Sequence, residues 1–589
     1  MIDTVRGRHS SAQRAPLSIT PLDIAAALIG LIPLVVHSVT VWRGYFWQDD
    51  FLLLRTAAKA SAFDPAYLLQ DYDGHLIPGV LFLASAVTDV DPLGYRVAVL
   101  PLLAMQALLS VQCWRLLLGC FGRRRATLVP FTLFAFSPLV LVPTLWWSAA
   151  AQLVPLLLAM VSALGAHGRY LDTGLRRHAV YAALWTGFGL AFSERAVLIP
   201  ALLFGLSVLH GGVTPLRRVL TERWHLWSGH AAVLVGYLVL RTVLIGGHHE
   251  VDRPVDLAQH VGRTLVDTLA RGLFGGPWGG HAVGTLWPAP GFEARVAAVV
   301  LTIAVVVAGF VVSGRSALRA WLLVAGYVAA DIALVAFTGF GAFGTVLPDD
   351  PRFVADAAAV AIVFGAFAFR DGTAGRAIKL GVTGLTVVYA ITATVTTART
   401  GSALRFTDVL EYVAAVRESL AADPDVVLFD APVPDAVMKR ARFGDETDVS
   451  KLTELLPRRT RFDAPTEEMS LIDGHGVARR ITKVDDARTG QKGPVPDCGW
   501  AVDRRTTMVQ FPEQVTGRHV LLIDYYTADS GEGTVTVAGR EQIIEFQTGV
   551  HQLALVVDGS FARVDLRRDT SVAPVCVAVV RVGDPTVEP

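Results

Sequence analysis

The stretch RGYFWQDDFLLLRTA, residues 43–57, decides how this chain is read. Two adjacent carboxylates, Asp49 and Asp50, stand between Trp47 and Phe51. An apolar run from Pro21 to Trp42 precedes it, about long enough to cross a bilayer. A secretory signal would have a shorter core and a small-residue cleavage site. No A-x-A-like site follows here, and Arg6, Arg8 and Arg14 come before, so a retained first span is expected. Carboxylates among aromatics at a membrane surface are costly, because burial opposes their ionised form. Ionisable groups at membrane depth are therefore functional candidates. The plainer alternative is a solvated acidic loop beside an interfacial aromatic belt.

Working outward, the whole chain fits a membrane body. Of 589 residues, 52% are hydrophobic and 18% charged, with a mean hydropathy of +0.47. Soluble proteins carry roughly a quarter charged residues, and disordered or collagen-like chains have a different balance again. The net charge of zero hides a division. Residues 401–589 carry 22 Lys+Arg and 30 Asp+Glu, which leaves 30 and 22 for residues 1–400. No dense basic face is visible in the tail, so nucleic acid is not an expected partner. Apolar runs recur near 94–118, 126–145, 149–166, 178–193, 196–211, 225–245, 293–313, 318–339, 353–370 and 378–397. Together with the first run they predict about eleven spans. The run at 75–90 is too short to cross and is expected as an amphipathic helix at the interface.

Orientation follows from the basic residues. With the N-terminus cytoplasmic, alternate loops hold Arg123–Arg125, then Arg169, Arg176 and Arg177, then Arg217, Arg218 and Arg223. Arg315 and Arg319, and finally Arg370, Arg376 and Lys379, continue the series. The opposite loops are richer in acid. An odd span count then puts residues 401–589 outside, in the plasma membrane's extracytoplasmic space.

That tail opens with a helical period at Phe406–Leu420 and a short strand, DVVLFD, at 425–430; residues 448–457 look helical again. From about 495, short β runs divided by Gly, Asp and Ser predict a β-sandwich. Three parts are expected: a transmembrane domain over 1–400, an α/β connecting region over 401–490, and the sandwich over 491–589. Cys498 and Cys576 bracket the sandwich, and an oxidising compartment favours their disulfide. Cys113 and Cys120 sit in an apolar run as packing residues. No Cys/His spacing points to zinc. An external sandwich is similar to carbohydrate-binding modules, which stack sugars on exposed rings. Trp500, Tyr525 and Tyr526 are the candidates, unless they pack the core.

An acidic pair in the first outside loop, many spans and an outside tail resemble the glycosyltransferase C superfamily, whose enzymes use polyprenyl-phosphate sugars. The Ala/Arg/Val-rich composition and β-rich tail look most like actinobacterial cell-envelope arabinofuranosyl and mannosyl transferases. The resemblance implies a polytopic α-helical fold of this type with an extracytoplasmic α/β plus β-sandwich region. It implies a polyprenyl-phosphate sugar donor, an envelope glycan or glycolipid acceptor and surrounding membrane lipids as partners. Asp49 is the expected base, with Asp50 second. An acceptor hydroxyl is a poor nucleophile and needs its proton taken, whereas a lipid phosphate leaves as a stabilised anion.

A cation should meet that phosphate. LPDDPRFVADAA, residues 347–358, offers Arg352, and Arg352 and Asp356 are one helical turn apart and able to pair. A Pro-Arg-aromatic start of an outward-facing span resembles a feature of several superfamily members, which implies a phosphate-binding Arg352. FSERAVLIP, residues 192–200, adds Glu194 and Arg195, as cavity lining or as an ordinary turn. Asp71, Asp73 and His75 are candidates for acceptor hydroxyls or a divalent cation, with a capped turn as the plainer and commoner reading. His248 and His249, beside Glu250, form a further outside cluster. GLFGGPWGG, residues 272–280, lacks the Walker lysine and is a candidate lid, with Trp278 and Trp287 at the interface. Trp146 and Trp147 are expected in an aromatic belt. Two rivals stay open: a transporter or flippase, favoured by Asp331 within a span, and a glycan-binding scaffold.

Overall fold

The computed structural model describes residues 20–210, 216–245, 257–279, 287–343, 348–370, 372, 375–569 and 573–587. His248 and His249 lie outside the described residues. Helix α1 (Pro21–Trp42) opens on a capping box, in which the Thr20 hydroxyl and the Asp23 carboxylate satisfy each other's backbone N–H. The first loop folds into α2 (Asp49–Ala58) and α3 (Pro78–Thr88). Then come α4 (Tyr95–Phe121), α5 (Leu128–Ala135), α6 (Trp147–Thr173), α7 (Arg176–Phe192) and α8 (Ile199–Leu209). The body continues through α9 (Trp224–Leu244), α10 (Phe292–Ser313), α11 (Arg315–Phe343), α12 (Ala355–Gly365) and α13 (Arg376–Ala403).

Seven helices among the described residues are long and apolar enough to cross a membrane: α1, α4, α6, α9, α10, α11 and the one that begins at Arg376. A further apolar pair, Arg125–Ala135 with Pro138–Leu145, is bent by 40° and forms either a broken span or a re-entrant loop. Pro138 has no N–H to continue the first piece. The expected count of about eleven is therefore not confirmed. The runs near 178–193, 196–211 and 353–370 form α7, α8 and α12, of 17, 11 and 11 residues. They pack around α6, whose apolar window is 89% buried. In contrast, α9 and α10 are only 11% buried. Their Val243 and Val311 stand 75% and 80% exposed, a surface that only a lipid solvent tolerates. The chain is a multi-pass membrane protein.

Alternate loops meet at the same end of this body. At one end Arg123 bonds Asp23 at 2.7 Å, His210 meets Asp172 at 2.8 Å, and Arg370 reaches the Leu209 carbonyl. The two acidic residues of α2 lie at the other end. Helix α3 does not lie on an interface as expected. Val80, Leu81, Leu83, Ala84 and Val87 are all buried, because α2, α6 and α7 cover it.

The tail begins with α14 (Thr407–Ala422), whose buried Val409, Tyr412, Val413, Val416 and Leu420 mark one helical face. The strands follow: β1 (Val427–Leu428), β2 (Arg461–Phe462), β3 (Met469–Ile472), β4 (Ala478–Thr489), β5 (Trp500–Val502), β6 (Thr507–Thr527), β7 (Gly531–Val537), β8 (Arg540–Phe546), β9 (Gly549–Arg568) and β10 (Val575–Val587). They run in one order, β2-β1-β3-β4-β10-β6-β9-β7-β8, with β5 on β10. β1 pairs in parallel with β2 and β3; the rest is antiparallel.

Side chains alternate across β6. Leu521, Ile523 and Tyr525 enter one core, while Val520 and Leu522 enter a second with Phe429, Met469 and Ile481. The sheet is thus covered on both faces, and β4 of the connecting region pairs with β10 across the boundary expected near residue 490. The sandwich does not start afresh at 491. Cys498 and Cys576 are disulfide-bonded, with 4.8 Å between their Cα atoms.

Candidate active site

Asp50 opens α2 fully buried, and both of its carboxylate oxygens are taken by backbone amides. One accepts the Trp47 N–H at 2.9 Å, the other the Ser148 N–H at 2.8 Å. Ser148 stands in the first turn of α6, where the helix presents free N–H groups and the positive end of its dipole. The neighbouring Asp49 is half-buried and, among the described residues, accepts only the Ser148 hydroxyl, at 3.2 Å. Adjacent carboxylates thus have different surroundings.

Their proton affinities differ as well. Burial raises that of Asp49, while the nearby Arg352 and Arg442 guanidinium groups pull the other way. Asp50 is pushed well above the ordinary carboxylate range, first by burial and then by the charge of Asp49. The neighbourhood of Asp49 is completed by Asp73, whose charge raises its proton affinity further, and by Tyr72.

Arg352 lies over the Trp146 ring at 4.1 Å and is bonded to Asp350 at 2.7 Å. The expected pairing of Arg352 with Asp356 does not occur. Pro351–Phe353 is a 3-10 turn and α12 starts only at Ala355, so the two residues are not on one helix. Asp356 instead pairs with Arg195 and accepts the Tyr327 hydroxyl at 2.9 Å. Arg195 also donates to the Arg352 carbonyl at 3.0 Å. Arg195, the second cation expected at the donor phosphate, thus links Asp356 to the backbone of Arg352. Asp331, the residue that favoured a transporter, lies 4.0 Å from Arg195 in this same cluster.

Glu194 stands in a second cluster. It bonds Arg241 at 2.8 Å and lies 3.7 Å from His75. Burial opposes its charge, but hydrogen bonds from His75 and Arg241 hold its proton affinity below the ordinary glutamate range. Arg241 also reaches the Gly74 carbonyl, so this cluster fastens the loop that carries Asp73. Asp71 caps that turn by accepting the Gly74 N–H at 2.8 Å. Among the described residues, no three His, Cys, Asp or Glu side chains gather closely enough to hold a metal ion.

Other expectations are relocated. Trp147 is buried, with its ring N–H on the Ala98 carbonyl, and Trp146 is sandwiched between Arg352 and Trp47, so neither forms a lipid-facing belt. Trp287 is also buried, 5.6 Å under Arg271, rather than interfacial. The glycine loop is fastened to α13: the Thr396 hydroxyl bonds the Gly275 carbonyl, and a Cβ on Gly275 would meet Thr392 at 2.8 Å. In the tail, Tyr525 cannot stack on a sugar. It is 1% exposed, and its hydroxyl bonds Glu467. Tyr526 faces outward at 53% exposure, and Trp500 is half-buried.

Sequence reasoning missed Ser148, Gln48, Asp350, Tyr327 and Arg442. The tail docks on the first loop, and two of these, Gln48 and Arg442, take part. Trp47 stacks on Phe406 at 4.6 Å, Arg55 pairs with Glu446, and Lys59 meets Glu454 at 2.6 Å. Arg442 comes within 3.8 Å of Asp73.

No family model and no curated protein matches the sequence. Among solved structures, ArnT from Cupriavidus metallidurans bound to undecaprenyl phosphate is similar over 74% of this chain and 85% of its own, at 14% identity and a TM-score of 0.39. Arabinosyltransferase EmbB from Mycobacterium smegmatis is similar over 100% of this chain and 66% of its own, at 11% identity and a TM-score of 0.31. Arabinofuranosyltransferase AftD from Mycobacteria is similar over 96% and 61%, at 12% identity and a TM-score of 0.30.

Proposed function

We propose that the chain transfers a sugar, arabinofuranose or mannose, from a polyprenyl-phosphate donor to an envelope glycan or glycolipid. Transfer takes place on the extracytoplasmic side of the plasma membrane, with the N-terminus cytoplasmic and the tail outside. The observation that carries this reading is Asp49, half-buried at one end of a many-helix body beside the Ser148 hydroxyl, with burial raising its proton affinity and the Arg352 and Arg442 charges opposing that rise.

In this reading Asp49 accepts the proton of an acceptor hydroxyl as its oxygen attacks the anomeric carbon. The bond from that carbon to the lipid phosphate breaks, and the electron pair leaves with the phosphate. Direct displacement inverts the anomeric centre. Arg352, with a planar fork of donors, suits the departing phosphate. Asp71, Asp73 and His75 face the acceptor, and Asp50 holds the loop. In the tail, Tyr526 and Trp500 remain as glycan contacts. Membranes carrying the protein, given labelled polyprenyl-phosphate sugars and an envelope acceptor, should form a labelled product. Absence of transfer with every such donor would refute the reading.

A further inference from the structure

The residue just before Asp49 has an unusual backbone. Gln48 adopts φ 53° and ψ −119°, a conformation that glycine accepts and other residues avoid. Such strain persists only where the surroundings impose it. Here they come from the tail. The Gln48 N–H donates to the Val437 carbonyl at 3.0 Å, and its side-chain amide donates to the Asp435 carbonyl at 3.3 Å. Its side-chain oxygen accepts the Lys439 N–H at 3.0 Å. The ring N–H of Trp47 adds a bond to the Ala436 carbonyl at 2.9 Å. One tail segment, residues 435–439, therefore grips both residues that lead into α2. Three residues further on, the same segment carries Arg442 to the edge of the acidic cluster, beside Asp73.

We propose that tail segment 435–442 is a working part of the transfer site: it clamps Gln48 in its strained conformation, so positioning Asp49, and supplies Arg442 to the acceptor side. The proposal rests on the transferase reading above. Gln48 acts through Asp49 and is a positioning residue. The tail is then not only a glycan-holding appendage. Its docking completes the site, so a tail displaced from the first loop would leave a folded membrane body with a misaligned base.

Three full-length variants test this: Gln48→Ala, Gln48→Gly and Arg442→Gln. Alanine removes the side-chain clamp but keeps the strain. Its kcat should fall about 10- to 100-fold with the donor KM unchanged. Glycine accepts the conformation freely and should recover most of that loss. Arg442→Gln removes a positive charge near Asp49, so the acid limb of the pH–rate profile should move to higher pH. The other groups facing Asp49 are Asp50 on its own helix, Asp73 and Tyr72 from the loop, Arg352 from the turn before α12, and Ser148 from α6. All of these stay in place.

Hydrogen exchange supplies a readout independent of transfer. Gln48→Ala should raise exchange in residues 44–52 and 433–443 together. Wild-type kcat and pH profile in all three variants would overturn the proposal, as would exchange that rises in one segment alone. Linked exchange in a wild-type protein that transfers no sugar would sink the transferase reading and the positioning role with it, leaving the clamp only structural.

Discussion

Two neighbouring aspartates should fail in different ways. Asp50 feeds two buried backbone N–H groups, Trp47 and Ser148, through separate oxygens. In Asp50→Asn one oxygen becomes an NH2 group, which cannot accept from an N–H. One amide is left unsatisfied, at a cost of about 1–3 kcal/mol. Asp50→Ala leaves both, at about 2–6 kcal/mol by the same figure. Asp49→Asn disturbs only a Ser148 hydroxyl, which can reorient, so stability should stay within about 0.5 kcal/mol of wild type. Its transfer rate should nevertheless fall about 10²- to 10⁴-fold, the usual loss for a general base. The assay pairs thermal unfolding, followed by tryptophan fluorescence in lipid nanodiscs, with initial rates of sugar transfer. A stable and inactive Asp49→Asn beside a destabilised Asp50→Asn is the expected pattern. Full activity in Asp49→Asn, or an unchanged midpoint in Asp50→Asn, would refute the division of labour.

Arg195→Leu strands Asp356 as a buried charge, since among the described residues Arg195 is its only cationic partner within bonding range; a loss of about 3–5 kcal/mol is expected in the same unfolding assay. Glu194 is held ionised by His75 and Arg241, so its contribution is fully present above the ordinary glutamate range and fades as pH falls below it. Glu194→Gln should flatten that part of the stability–pH curve; an unaltered curve would contradict the cluster's role. Replacing Cys498 and Cys576 by Ser opens a loop with a sequence separation of 78, worth about 4 kcal/mol on the chain-entropy account. Protease resistance of the tail should drop, with the membrane body unaffected. Equal resistance with and without the bond would count against it.

Much of the helical body was legible because hydropathy is a local signal. The first span, the acidic pair at one end of the helical body and the disulfide all appear where the residues imply them. The short helices α7, α8 and α12 were harder to separate from full spans, since composition does not say which apolar run is sheathed in protein. The Arg352 pairing failed on geometry: a spacing of four aligns two side chains only if both sit on one helix, and Pro351 starts a tighter turn first. Tyr525 and Tyr526 are adjacent in a strand, so one must face each way. Nothing in a pair of identical residues says which is inside. Gln48 and Arg442 left no signal at all, because the clamp uses backbone carbonyls from a segment 387 residues away.

The final strand has a consequence for how the protein is made. β10 is paired with β4, β5 and β6, and carries the second cysteine of the disulfide. Until β10 has been made and paired, β4 and β6 each present an open edge, and unpaired edges invite association with other chains. Closure of the sheet therefore waits for β10, which follows all its pairing partners in chain order. A chain cut just before Val575 should lose the strand that joins the two halves of the sheet, and quality control would meet a membrane body with an unclosed sheet.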